Sequence, residues 1–195
     1  FINVSNFANV SATFTNVMNT AAAFNGSSAN VLVPAIGSQT KVSFEVWVNP
    51  VNFTDLSTIY AETNWFAGTS GLMWRSSSTK IQFSVNGMVT DAAYSGFTAS
   101  QWVHLVVTYD STLTSGQVKI YKNGGLVQTT TVTGTNKPVN LGEGNLGAWR
   151  NTSGNLSRFY NGSMDEFAIY GSVLSAARVR AHFTAAVGGW TTLIA

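Results

Sequence analysis

The segment from Lys41 to Pro50 limits what this chain can fold into more than any other feature. It reads KVSFEVWVNP, so every second residue from Val42 to Val48 is apolar, and Pro50 ends the run. A period of two puts these side chains on one face of a β-strand. Proline cannot donate to a sheet's hydrogen-bond ladder, so it terminates the pattern. The segment therefore predicts a strand with one face against a core.

Similar signals recur along the chain. Ile81 to Val85 alternates and is followed by Asn86-Gly87, a dipeptide typical of tight hairpin turns. Trp102 to Tyr109 is almost continuously apolar, which predicts a strand covered on both faces. Trp47 and Trp102 are expected in the core, because a sandwich buries most of its tryptophans. The remaining strands are predicted in a hairpin around Asn123-Gly124-Gly125, near Leu141, Leu146 and Ala148, and from Met164 to Tyr170.

One segment predicts a helix instead. Ser175 is a suitable N-cap for residues 176–183, and Gly188-Gly189 provides the exit. Residues 1–20 are interpreted as an edge strand or a connection. Many short strands joined by polar turns indicate a single all-β domain over residues 1–195, a sandwich, jelly roll or barrel with one short C-terminal helix.

Composition narrows the function classes. Charged residues make up 9% of the chain and the net charge is +2, with no run of Lys or Arg, so no nucleic-acid partner is expected. No apolar run approaches the roughly 20 residues that span a bilayer, so no membrane insertion is expected. Cysteine is absent, which removes disulfides and thiol chemistry. Because the sequence begins at Phe1, it is interpreted as a mature or excised piece of a longer polypeptide.

Four stretches together resemble a known family. They read AFNGS from Ala23, VSFEVWVNP from Val42, WVHLVVTYD from Trp102 and YNGSMDEFAIY from Tyr160, in that order. The chain thereby resembles the laminin-G-like jelly-roll domains of the concanavalin A-like lectin/glucanase superfamily. The resemblance implies two packed antiparallel sheets with loops available for ligands.

The resemblance also implies a calcium ion near the Phe-Asn-Gly turn and the Asp-Glu strand. The residues that would hold it are Asn25, Gly26 through its carbonyl, and Asp165. Calcium takes six to eight oxygen ligands, commonly including carboxylates. Asn25 stands where many relatives carry Asp, which removes one charge. The alternative is that Asp165 accepts backbone N–H groups in a tight loop.

The ionisable residues do not predict an enzyme. Sandwich glucanases carry their carboxylates on one strand in a Glu-x-Asp-x-Glu run, which this chain lacks, and Glu45 stands alone. Asp165 and Glu166 are consecutive and would point to opposite faces. His104 is interpreted as a structural histidine in its strand, and His182 as a packing or surface residue. No Gly-x-Ser-x-Gly motif is present.

Aromatic residues in turn-rich segments suggest binding instead. Sugars stack their apolar faces on aromatic rings while polar groups take the hydroxyls. The ligand-binding candidates are Trp65, Trp74, Trp149, Arg150, Asn151 and Tyr160. The alternative is that these rings are buried, as most tryptophans in a sandwich are.

Two functions follow from these expectations. The first is a non-catalytic recognition module that is extracellular or lies on a cell or virion surface, and that binds a glycan or a surface protein through its loops. The second is a structural decoration or assembly subunit of a capsid or surface filament, which would associate with itself or with such a partner.

Overall fold

The structure is a computed structural model. It describes residues 2–3, 21–53, 56–63, 71–75, 80–85, 92–132 and 138–188, with the backbone alone described for 2–3 and 71–75.

The larger of two antiparallel sheets has seven strands. Its order is β1-β17-β5-β10-β11-β12, and β2 also pairs with β17. The strands are β1 (Ile2–Asn3), β2 (Ala22–Asn25), β5 (Lys41–Pro50), β10 (Val103–Asp110), β11 (Val118–Lys122), β12 (Gly125–Thr130) and β17 (Asn161–Tyr170).

The smaller sheet has six strands in the order β3-β14-β6-β7-β8-β9. They are β3 (Val31–Val33), β6 (Thr58–Glu62), β7 (Gly71–Arg75), β8 (Lys80–Ser84), β9 (Ala92–Tyr94) and β14 (Gly144–Leu146). Two strand pairs complete the fold: β4 (Gly37–Gln39) with β13 (Val139–Leu141), and β15 (Trp149–Arg150) with β16 (Leu156–Ser157).

The core lies between the two sheets, where the alternation in β5 predicted it. Phe44 of β5 lies 5.4 Å from the ring of Tyr60 in β6 and 5.7 Å from that of Phe83 in β8. All three side chains are almost fully buried. The alternate residues of β5, including Glu45 and Trp47, therefore lie on the outer face of the larger sheet, away from the smaller one.

A β-bulge interrupts β17. Its pairing with β5 shifts between Asp165 and Ala168, and Glu166 adopts a φ of 51°. One extra residue reverses the alternation, so Met164 and Phe167 are both buried.

The helix α1 (Ala176–Gly188) lies on the outer face of the larger sheet. The hydroxyl of Ser175 accepts the backbone N–H of Arg178 at 3.2 Å, which confirms the predicted N-cap. Val179 packs on Val106 and Tyr121 of the sheet. The helix runs five residues beyond the predicted end at 183. Among the described residues, no helix has the length and hydropathy needed to cross a membrane.

The hairpin of β11 and β12 confirms another prediction. Asn123 and Gly124 form the turn between them, with φ of 50° and 79°. Such a two-residue turn needs positive φ at both positions, which Asn and Gly tolerate. Asn86-Gly87 lies outside the described residues. At the chain start, Ile2–Asn3 pairs with β17 as an edge strand, and residues 4–20 are outside the described part.

The prediction for Trp102 is wrong. It is 43% exposed, whereas every residue of β10, directly after it, is buried. Trp102 has the parity of His104, so it belongs to the outer face rather than to the core. Trp47, also expected in the core, lies instead on this outer face and is half-buried, with its ring stacked 5.8 Å from that of Phe183 in α1.

Candidate functional site

The hairpin of β15 and β16, residues 149–157, is the part of the predicted ligand site that the structure describes best. Trp149 pairs with Ser157, and Arg150 pairs with Leu156. The side-chain oxygen of Asn151 accepts the backbone N–H groups of Ser153 and Asn155, which closes the turn. The sequence therefore builds a short, internally bonded loop.

Backbone hydrogen bonds fix this hairpin on the smaller sheet. Gly147, just before it, donates its N–H to the carbonyl of Ile59 at 2.8 Å. Thr58 donates to the carbonyl of Arg158, just after it, at 2.9 Å. Because both ends are attached to β6, the loop is held in place before any ligand arrives.

Arg150 and Asn151 remain accessible on this hairpin. The side chain of Arg150 is 28% exposed and pairs with Glu143, which is 49% exposed, at 3.0 Å. An ion pair this exposed contributes at most about 1 kcal/mol to stability. Asn151 is half-buried and Asn155 is exposed. The hairpin thus presents a guanidinium and two amides, groups that can hydrogen-bond hydroxyls.

Both described aromatic candidates are buried, so neither ring is open to a ligand. Trp149 is 7% exposed, and the guanidinium of Arg158 lies 4.3 Å from its ring centroid. Tyr160 is 1% exposed and packs edge-on against Phe24 at 6.0 Å. The interpretation of Tyr160 as a ligand-binding ring is corrected here, because the ring is part of the core. The interpretation of Trp149 as a ligand-stacking ring is corrected too, because its ring is buried and covered by Arg158.

The other two aromatic candidates are only partly placed. Trp65 lies outside the described residues. Trp74 pairs with Ile81 across β7 and β8, and its side chain is outside the described part. Their proposed role in binding stays a prediction.

The three residues expected to hold calcium do not converge. Asn25 pairs with Asn161 across β2 and β17, and Asp165 is four residues further along β17. At about 3.3 Å per residue, that separates them by roughly 13 Å.

The local bonding of these residues also argues against a shared ion. The side-chain oxygen of Asn25 already accepts three backbone N–H groups, from Ser27, Ser28 and Ala29. Asp165 accepts the N–H of Glu166 at 2.9 Å, the alternative that the sequence left open. Asn25, Gly26 and Asp165 therefore do not fit one shared calcium site, which corrects that ligand set, while calcium binding itself stays a prediction. In the described ranges, no three His, Cys, Asp or Glu side chains are placed to hold a metal.

A cluster that the sequence did not predict lies under α1. Glu45 is 5% exposed, and its Oε1 accepts a hydrogen bond from Nε2 of His104 at 2.8 Å. Nδ1 of His182 lies 3.0 Å from both carboxylate oxygens, and the hydroxyl of Tyr170 donates to Oε2 at 2.7 Å. These four residues are called the Glu45 cluster below. They join β5, β10, β17 and the helix.

The environment of Glu45 keeps it ionised. Burial raises the pKa of its carboxyl, but the hydrogen bonds from His104, Tyr170 and His182 lower it by more, so the pKa lies below its ordinary value. The carboxylate already accepts hydrogen bonds from three side chains, and the one from His182 attaches the helix to the sheet. Two features of the sequence could have indicated this cluster. Alternation along β5 and β10 puts Glu45 and His104 on one face of paired strands, and the helix that carries His182 follows β17 directly.

Comparison with known proteins places this geometry in a family. The laminin G model described as the Concanavalin A-like lectin/glucanases superfamily matches residues 25–180. The chain belongs to this family. The fold expected from the four motifs is thereby confirmed. A search of curated proteins finds no match.

Solved structures share the fold of this laminin G domain at low identity. A heptameric SAP-like pentraxin from Limulus polyphemus aligns with a TM-score of 0.64 and 13% identity, over 81% of this chain and 78% of the pentraxin. A putative carbohydrate binding protein from Bacteroides ovatus aligns with a TM-score of 0.62 and 16% identity, over 82% of this chain and 45% of that one. Domain 4 of AbnA, an extracellular arabinanase from Geobacillus stearothermophilus solved with arabinotriose, aligns with a TM-score of 0.57 and 21% identity, over 85% and 77%.

Proposed function

We propose that this laminin G domain is a non-catalytic recognition module that binds glycans through the β15–β16 hairpin. The observation that carries the proposal is the presentation of Arg150, Asn151 and Asn155 on a loop anchored at both ends to β6. Hydroxyl-rich ligands need donors and acceptors fixed in space, since ordering a mobile loop would cost binding free energy.

Two further considerations support glycans as the ligand class. With only 9% charged residues, the chain suits a neutral, hydroxyl-rich ligand better than a strongly charged one. Domain 4 of AbnA, which shares the fold, was solved with a bound arabinotriose. The module would act outside the cell or on a cell or virion surface, where glycans are displayed. One such site binds weakly, so useful avidity requires several copies.

The test is a binding screen against immobilised oligosaccharides that include arabinotriose. Arg150→Ala and Asn155→Ala are each expected to weaken binding by about 5- to 10-fold, the loss of roughly one hydrogen bond each. Asn151→Asp keeps the oxygen that closes the turn and removes the amide donor, so it tests the ligand contact without opening the loop.

Arg180→Ala is the matched control, because Arg180 is an exposed arginine on α1. It is expected to bind like the unmodified chain. Equal binding by the hairpin variants and the control would remove the hairpin from the proposal, and binding to none of the oligosaccharides would end the glycan assignment.

A second candidate function, self-assembly, is favoured by two leucines. Among the described strands, β3 and β12 end the two sheets, and they carry Leu32 and Leu126, which are 50% and 51% exposed. Outermost strands with exposed apolar side chains can pair with another chain. Assembly through these strands would join copies edge to edge.

Sedimentation velocity over a concentration series separates the two functions. If the chain assembles in this way, its weight-average mass rises with concentration, and the Leu32→Lys/Leu126→Lys double variant stays monomeric because lysine blocks strand pairing. A wild-type chain that remains monomeric throughout the series would exclude this candidate.

A further inference from the structure

The helix α1 leaves one end of the larger sheet's outer face uncovered. The outward-facing residues there come from the end of β5, the residue before β10 and the start of β17. They are called the outer-face platform: Asn49, Val51, Trp102, Asn161, Ser163 and Asp165. All of them are half-buried or exposed.

The strand register brings these side chains together. Asn49 pairs with Ser163 across β5 and β17. Val103 pairs with Val48, which places Trp102 beside Asn49 on the next strand. The backbone N–H of Val51 donates to the carbonyl of Asn161 at 2.9 Å. Paired residues on one face have Cβ atoms about 5 Å apart, so the platform is continuous.

Trp102 is the unusual member of this surface. Its side chain is 43% exposed although Val103, next in sequence, is 4% exposed. Val51, near it on the same face, is 58% exposed. The indole and this aliphatic side chain lie at diagonal positions on adjacent strands, within reach of one another. The amides, the hydroxyl and the carboxylate of the platform lie on β5 and β17, to one side of the indole.

This mixture matches the chemistry of a sugar ring. A pyranose has an apolar C–H face that can lie on an indole, and hydroxyls at its edges that need donors and acceptors. Asn49 and Asn161 supply both, Ser163 supplies a hydroxyl, and Asp165 supplies acceptors. The only charged member is an acid, which disfavours an anionic ligand.

We propose that the outer-face platform is a second glycan-binding site, with Trp102 stacking on a pyranose ring of a neutral oligosaccharide. This inference rests on the proposed function for its ligand class but not for its location. The hairpin is attached to β6 of the smaller sheet, whereas the platform lies on the larger sheet. Two sites on one domain would let it contact a branched or repeating glycan twice.

The test is an NMR titration of the ¹⁵N-labelled protein with cellohexaose, xylohexaose and linear arabinohexaose. We expect at least one of them to shift the indole N–H resonance of Trp102, with a dissociation constant on the order of 1 mM for a single ring. Trp102→Ala is expected to weaken this binding at least tenfold, and Trp102→Phe to restore part of it. Leu113→Ala, which removes another exposed apolar side chain, should leave it unchanged.

The outcomes separate the two sites. Trp102 shifts that persist in Arg150→Ala support an independent platform. Binding that depends on Arg150 and leaves the Trp102 resonance unmoved overturns the platform while the proposed function stands. Equal affinity of Trp102→Ala and the unmodified chain, or no shift with any of the three oligosaccharides, also overturns it.

Discussion

Replacing Glu45 by alanine is expected to lower the free energy of unfolding by about 3 kcal/mol. The substitution leaves His104, Tyr170 and His182 without the carboxylate that accepts their hydrogen bonds. His104 is 1% exposed, so water cannot easily replace the lost acceptor. For a domain of this size, the loss corresponds to a melting temperature lower by roughly 6–12 °C. Calorimetry or thermal circular dichroism measures it.

The pH dependence of the free energy of unfolding tests whether the ionised Glu45 carboxylate causes this stability loss. The pKa of Glu45 is lower in the folded chain than its ordinary value of 4.5. Its contribution to stability is therefore full above that value and is lost as the pH falls through the folded-state pKa. The difference in the free energy of unfolding between the unmodified chain and Glu45→Gln should therefore shrink as the pH falls.

Glu143→Ala is the matched control for Glu45. Glu143 is 49% exposed and forms a single ion pair with Arg150, so its loss should cost at most about 1 kcal/mol. Equal effects of the two alanine substitutions, or a Glu45→Gln difference that does not change with pH, would contradict the role assigned to the cluster.

The second large effect is expected at Gly162, where alanine should destabilise the fold by about 3 kcal/mol or more. Gly162 has a φ of 148° and lies between two strands, paired with Phe24 of β2 and with Pro50 of β5. An added Cβ would overlap the carbonyl oxygen of Asn49 and lie 2.8 Å from the Cα of Pro50. Both are backbone atoms, so no side-chain rotation relieves the contact. Chemical denaturation of the two proteins measures this change in the free energy of unfolding.

Gly154→Ala separates steric overlap from backbone strain. Gly154 also has a positive φ, 83°, but an added Cβ would meet nothing within 4 Å. Its substitution should therefore cost about 1 kcal/mol, the strain of the left-handed conformation alone. If both variants lost the same stability, close packing at Gly162 would not be the reason that glycine is needed there.

The parts of the fold that sequence predicted are those set by neighbouring residues. The alternation in β5, the Asn123-Gly124 turn and the Ser175 cap each depend on contacts a few residues apart. Local chemistry decides such features, so a single sequence carries enough information about them.

The features that were missed depend on distant contacts. Glu45 and His182 are 137 residues apart in sequence, and only the docking of α1 joins them. Trp102 continues an apolar run, yet the helix does not cover its end of the outer face. Asn25 and Asp165 lie apart for a related reason: strand pairing places Asn25 opposite Asn161, a long-range register that motif order alone does not give.

The candidate binding site was predicted in part. The segment from Trp149 to Asn151 does form a surface hairpin, and Arg150 and Asn151 are accessible on it. Sequence could not tell which rings would be buried beneath the loop. Tyr160 fills the core beside Phe24 because it has the parity of the buried Met164 in β17 and so faces the same side.

The position of the Glu45 cluster also determines the order in which parts of the chain can fold during protein synthesis. The strands that carry Glu45, His104 and Tyr170 are all made before His182, which lies on the last described element. While the nascent chain emerges from the ribosome, the Glu45 carboxylate lacks one of its three partners. The sheets can assemble first, and the helix then docks as a closing step. A stalled chain that ends before residue 176 would therefore expose Val106, Tyr121 and the carboxylate together, a surface that holdase chaperones recognise by its apolar part.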